Sequence, residues 1–260
     1  DGRGPKPQPL QLRHGGTFVE LINLLKAAVE KGGSDVYLVP GAPATVKIGT
    51  VMQPLMGEKL NMNDTRALIE TAYQLAGGRA VSRLTETGDD DFSFSVRDIG
   101  RFRCNTYMQR GSPAAVRRAV PFGLPDYRAL GIPQVVMDLC AKKRGMILVT
   151  GPAGSGKSTT LACMIDRINR ESDSHIITLE DPIEYLHPHQ RSIVSQREIA
   201  LDATDFARAL RSALRQAPDV ILLGEMRDYE TIHTALTAAE TGHLLLSSLH
   251  TLGAAKTIDR

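Results

Sequence analysis

The chain has 260 residues, enough for about two domains, with 42% apolar content and a formal net charge of +2. So small a charge excludes recruitment to nucleic acid or an acidic membrane by bulk attraction, and any basic function has to be local. No run approaches the ~18 apolar residues of a membrane span, and Asp1-Gly2-Arg3-Gly4-Pro5-Lys6-Pro7 lacks the apolar core of a signal peptide, so a cytosolic chain without an integral membrane segment is expected. Cys104, Cys140 and Cys163 are odd in number and form no C-x-x-C pair, which argues against a disulfide framework or a zinc knuckle and for buried thiols.

Residues 1–16, rich in Pro and Gly and without hydrophobic period, read as a flexible arm. Thr17 can cap a helix to about Lys31, with Phe18, Leu21, Ile22, Leu25 and Val29 on one face, stopped by Gly32-Gly33. Strand patterns follow at Asp35–Val39, Thr45–Ile48, Phe92–Val96, Arg101–Tyr107 and Ala115–Val120, interrupted by a helix over about Asp64–Leu75. Two helices on an antiparallel sheet make an α+β domain over 17–120, and the Pro/Gly-interrupted stretch 121–133 reads as a linker. From 134 to 260 the order becomes strand, glycine loop, helix and further strand–helix alternation, which suits a mostly parallel sheet with crossover helices. Its strands are expected at Met146–Thr150, His175–Leu179, Val220–Leu223 and Leu244–Ser248, short apolar runs of the kind that parallel strands buried on both faces require.

The strongest signal sits at the first of those strands. Gly151-Pro152-Ala153-Gly154-Ser155-Gly156-Lys157-Ser158 fills G-x-x-x-x-G-K-[ST], after a strand and before a helix, with Thr159 following. Such glycines let successive backbone N–H groups turn toward an anion, the lysine reaches the β- and γ-phosphates, and the Ser158 hydroxyl is offered to Mg²⁺. The following helix, with Leu161, Met164, Ile165 and Ile168 on its buried face, adds the positive end of its dipole.

Nucleotide hydrolysis also needs a carboxylate at the carboxyl edge of the sheet, to hold Mg²⁺ through water or to orient the attacking water. Glu225 ends the apolar run Val220-Ile221-Leu222-Leu223-Gly224, where glycine stands in the place many such motifs give to aspartate, and Glu180 and Asp181 end Ile176-Ile177-Thr178-Leu179 before Pro182. His243 and His250 flank the last strand, and a histidine near a γ-phosphate can donate a hydrogen bond that senses it. Arg101, Arg103 and Asn105 alternate with Phe102, Cys104 and Thr106, so one strand face is cationic, and such arginines can neutralise charge on a γ-phosphoryl group.

The phosphate loop, the acidic run Thr178-Leu179-Glu180-Asp181-Pro182-Ile183-Glu184, the Gly224-Glu225 strand end and the His243–His250 segment, in this order, resemble the secretion ATPase superfamily. Within it the look is that of the PilT- and PilU-type twitching-motility ATPases, through Val194-Ser195-Gln196-Arg197-Glu198, Gly224-Glu225-Met226-Arg227-Asp228 and Ala254-Ala255-Lys256-Thr257-Ile258-Asp259-Arg260. That resemblance implies a PAS-like N-terminal domain joined to a RecA-like P-loop core. It also implies a homo-hexameric ring with ATP and Mg²⁺ as cofactors, and pilus retraction at the cytoplasmic face of the inner membrane on the platform of a type IV pilus machine. By the same resemblance Glu225 is the catalytic acid, Glu180 helps to hold Mg²⁺ and water, and Arg101, Arg103 and Arg110 reach the phosphates. Ala153 and Leu252-Gly253 depart from the family pattern, and the family's helical C-terminal region would follow Arg260. A pilus-assembly or type II secretion ATPase is the alternative. A nucleic-acid translocase fits less well, because the chain has no Trp and 5% aromatics to stack on bases.

Overall fold

A computed structural model describes residues 18–120, 124, 126–251 and 253–259; the expected arm, the Thr17 cap and part of the expected linker lie outside them. The chain divides into two compact units, Asp1–Val120 and Pro121–Arg260.

The first unit runs α1 (Phe18–Glu30), β1 (Asp35–Leu38), β2 (Thr45–Ile48), β3 (Val51–Pro54), α2 (Met62–Leu75), α3 (Ser82–Thr87), β4 (Asp89–Val96), β5 (Gly100–Gln109) and β6 (Ser112–Val120). Its six strands pair antiparallel in the order β3-β2-β1-β6-β5-β4. Alternation along β5 is as the sequence suggested: Phe102, Cys104 and Thr106 are buried, whereas Arg101, Arg103 and Asn105 take the other face. Helix α1 buries Leu21, Leu24, Leu25 and Ala28, so its buried stripe is rotated toward Leu24 and Val29 lies at the exposed edge. Asn61 starts α2 by accepting from the N–H groups of Asn63 and Asp64, while Asp64 accepts from the Asn61 N–H; this capping box sets the helix start at Met62 rather than Asp64.

Charged side chains are buried in this unit, Asp90 and Arg117 among them. The Asp90 side chain, 1% exposed, accepts from Arg79 Nε and Nη2, both at 2.8 Å, and from the Tyr73 hydroxyl at 3.1 Å. Burial pushes the Tyr73 hydroxyl up to about 12, so it stays a donor. A buried carboxylate stripped of its main partner is costly, and the nearby Arg83, 3.3 Å away, offsets only part. Arg79→Ala is therefore expected to lower the unfolding free energy by about 2–3 kcal/mol in urea denaturation. A loss below about 0.5 kcal/mol would show that Arg83 alone holds the charge.

The second unit runs α4 (Gln134–Asp138), β7 (Gly145–Thr150), α5 (Lys157–Glu171), β8 (His175–Glu180), β9 (Ile193–Glu198), α6 (Phe206–Ala213), β10 (Val220–Glu225), α7 (Tyr229–Glu240), β11 (Leu244–Leu249) and α8 (Ala254–Ile258). Its five strands pair in parallel in the order β7-β11-β10-β8-β9. Successive residues of β10 serve opposite faces: Val220 and Leu222 pack with Leu161, Met164 and Ile165 of α5, and Ile221 and Leu223 with Leu210 of α6 and Ala235 of α7. This two-sided burial explains the unbroken apolar runs. Because the strands are parallel, their carboxyl ends gather at one edge, where ligands of open α/β sheets bind. All three cysteines are buried thiols outside any disulfide.

Candidate active site

Strand β7 delivers the chain into the loop Gly151–Gly156, which turns into α5 at Lys157. Gly156 occupies the N-cap at φ +87°, a left-handed conformation that costs glycine little, and no side chain caps the helix. The first-turn N–H groups are thus left for an anion. Lys157 is 8% exposed, and its Nζ donates to the carbonyls of Gly151 at 3.1 Å and Pro152 at 2.9 Å. Among the described residues no carboxylate pairs with this ammonium, and a buried charge held by carbonyl dipoles alone attracts an anion. Beside it, Ser158 Oγ donates to Glu184 Oε1 at 3.0 Å, and the Thr159 hydroxyl bonds that of Tyr185 at 3.0 Å.

These groups line a cavity of about 290 Å³ at the carboxyl edge of the sheet, together with Glu180, Glu225 and His250. Glu180 ends β8. Burial pushes its carboxyl up to about 7, against hydrogen bonds from the Thr178 hydroxyl (2.6 Å), the Gln196 amide (3.3 Å) and the backbone of Glu184. A carboxyl raised in the folded state costs stability as pH climbs from the unfolded value, near 4.5, through 7. Glu180→Gln is accordingly expected to stabilise the nucleotide-free protein at pH 8, by at most about 3 kcal/mol, with the gain vanishing toward pH 4.5. Thermal melting across that range checks it; a gain independent of pH would contradict the assignment.

Glu225 ends β10, with Arg227 Nη2 2.5 Å and His250 Nε2 3.9 Å from its two oxygens. The pairing of β10 with β11 shifts register between Leu223 and Glu225, and Ser248 Oγ donates to the Gly224 carbonyl at 2.7 Å, which holds the irregularity in place. A Cβ on Gly224 would lie 3.3 Å from the Leu179 carbonyl oxygen and 3.4 Å from Glu180 Cα. The end of β8 therefore packs tightly against the position where an aspartate commonly stands, and here the acid is carried one residue further on.

The model of the family described as type II/IV secretion system protein matches residues 17–260. The chain belongs to that family. It is 43% identical over 242 residues to the type IV pilus retraction ATPase PilT of Pseudomonas aeruginosa, spanning 93% of this chain and 70% of that one. The type IV pilus ATPase PilU of the same organism is 40% identical over 242 residues, again 93% of this chain but 63% of its own length. Among solved structures, that of the pilus retraction motor PilT with bound ADP has a TM-score of 0.82 at 49% identity, over 92% of this chain and 69% of that one. The Legionella pneumophila ATPase DotB has a TM-score of 0.79 at 30% identity, over 98% and 70%. The fold is thus the PilT-type α/β fold with an antiparallel N-terminal sheet, and the family is one of ATPases.

Within this family member the two histidines part company. His250 lines the cavity, but His243 precedes β11, about 20 Å away along a six-residue strand, where its Nδ1 contacts the Ala238 carbonyl at 3.0 Å. There His243 ties the end of α7 to the opposite edge of the sheet. Arg101, Arg103 and Arg110 belong to the N-terminal unit, where Arg101 and Arg103 share one face of β5 and Arg110 sits exposed in the β5–β6 turn at φ +47°. Among the described residues no cluster of three or more His, Cys, Asp or Glu forms a metal cage. The donors that are present, the Ser158 hydroxyl and carboxylates on the cavity wall, fit a magnesium ion that arrives with phosphate oxygens, as Mg²⁺ prefers. Sequence reading missed Tyr185, Gln196 and Arg227 as neighbours of the site, since polar residues on an unassigned strand and in loops carry no periodic signal.

Proposed function

We propose that the chain is the ATP-hydrolysing part of a hexameric, magnesium-dependent motor that powers type IV pilus retraction. The observation that carries this reading is the buried Lys157 ammonium beside the uncapped α5, in a cavity shared with Glu180 and Glu225. That arrangement occurs in a chain matched over 93% of its length by PilT. In this reading the N–H groups of the loop and α5 bind the β- and γ-phosphates, and Lys157 turns from the Gly151 and Pro152 carbonyls to bridge them. Magnesium, when bound, neutralises phosphate charge. Glu225 holds the attacking water and takes its proton, Glu180 holds water on the metal side, and His250 donates to the γ-phosphate next to Glu225.

The inner-membrane platform of a pilus machine is the partner that pilus retraction requires, and residence at the cytoplasmic face follows from it; no helix among the described residues is long and apolar enough to cross a membrane. A secretion motor is the second reading, favoured by the match of residues 17–260 to the family described as type II/IV secretion system protein. The full-length protein should hydrolyse ATP only with magnesium and at the same rate with or without DNA. DNA-stimulated hydrolysis that weakens steeply with salt would instead favour a translocase.

A further inference from the structure

Arg227 brings a guanidinium to the cavity that also holds Lys157, and its Nη2 lies 2.5 Å from Glu225 Oε1, at the end of β10. An oxygen occupied in this way is not free to orient a water or to take its proton. The arginine side chain is 70% exposed against 13% for the glutamate, so the pair is wet on one side and costs little to part. The backbone around it is held on both sides. Met226 is buried in the core that β10 shares with α6 and α7, and Asp228 caps α7 by accepting from the Thr231 N–H at 2.8 Å and the Thr231 hydroxyl at 2.7 Å. Rotation of the Arg227 side chain alone therefore moves the guanidinium. We propose that Arg227 is a γ-phosphate sensor: it covers Glu225 while the γ-phosphate position is empty and transfers to the γ-phosphate when ATP binds, which releases the carboxylate for the attacking water.

The exchange follows from the charges. A terminal phosphate carries more negative charge than a carboxylate and offers three acceptor oxygens, which the planar fork of a guanidinium engages in pairs. ADP ends at the β-phosphate, which Lys157 and the first turn of α5 hold in this reading, so it gives Arg227 no reason to leave Glu225. A ligand shifts a two-position equilibrium only by its differential affinity for the two positions, and the γ-phosphate supplies that difference. After hydrolysis and loss of phosphate the guanidinium falls back on Glu225, and the base stays covered until the next ATP arrives. His250 Nε2, 3.9 Å from Glu225 Oε2, stands on the other oxygen of the same carboxylate and is left in place by the transfer.

The proposal rests on the nucleotide reading of the cavity, and paired titrations separate the two. Fluorescent mant-ADP and mant-AMPPNP, a non-hydrolysable ATP analogue, are titrated into the full-length protein with magnesium present. Arg227→Ala should leave the affinity for mant-ADP within about twofold and weaken that for the analogue about tenfold, the worth of one charge-assisted contact. Arg227→Lys, which keeps the charge without the fork, should fall between. The loss should persist when Arg227→Ala is added to Glu225→Gln, because the contact is with phosphate and does not act through the carboxylate. Equal weakening of both nucleotides, an unaltered affinity for the analogue, or a loss that vanishes in the Glu225→Gln background would each overturn the proposal, the last by showing that Arg227 only masks the charge of Glu225. Failure of the unaltered protein to bind either nucleotide would overturn the nucleotide reading along with it.

Discussion

Lys157→Ala is expected to weaken ATP binding by at least about 10²-fold, because two charge-assisted contacts to phosphate, each worth about 1.5–3 kcal/mol, disappear together. Stability should change little, since the side chain now meets only the Gly151 and Pro152 carbonyls, and removing it also removes the cost of a desolvated ammonium. Binding and folding are thereby separated in one variant. Isothermal titration with a non-hydrolysable ATP analogue, set beside the thermal melt, measures both. Nearly normal affinity would remove Lys157 from the phosphate site; a collapsed melt would make its role structural.

Glu225→Gln addresses the chemical step. The amide keeps the size of the carboxylate at the end of β10 but cannot take a proton, so ATP should remain bound while hydrolysis slows by about 10²- to 10⁴-fold. The change also weakens the contact with Arg227, 2.5 Å away, which frees that guanidinium. Single-turnover measurement isolates the step. If Glu225→Gln turns over at the unaltered rate while Glu180→Gln does not, the water-orienting role passes to Glu180. The two acids end strands β10 and β8, which pair directly, so both outcomes are structurally accessible and the experiment decides between them.

Where each residue's local pattern agreed with its environment, the architecture could be read from the sequence. The apolar runs of β8, β10 and β11 are buried on both faces, and β5 alternates because one face packs on the core, so periodicity reported each correctly; β7 carries the same apolar run but lies half-buried at the edge of the sheet. Strand β9 gives no such signal: Ile-Val-Ser-Gln-Arg-Glu closes the open edge of the parallel sheet, Ile193 is exposed, and its polar side chains work on the loop after β8. Strand β3 escaped for a related reason, being a four-residue edge strand exposed at every position and ending in proline. At the site, the phosphate loop was legible because its chemistry demands contiguous residues. The Ser158–Glu184 and Gln196–Glu180 bonds span 26 and 16 positions and exist only once the strands are ordered. The histidines show the limit in the other direction: seven positions apart in sequence, they lie at opposite ends of a strand, which spacing alone does not reveal.

Whether ATP hydrolysis in this cavity drives retraction is tested most directly in cells. A strain lacking the gene is complemented with the full-length protein or with its Glu225→Gln variant, and surface pili and twitching are scored together. The account predicts abundant pili without motility in the deletion strain and in the Glu225→Gln strain, and recovery of both traits with the unaltered protein. Bare cells in the deletion strain would contradict retraction and point to assembly, and full twitching with Glu225→Gln would contradict hydrolysis at this site as the source of movement.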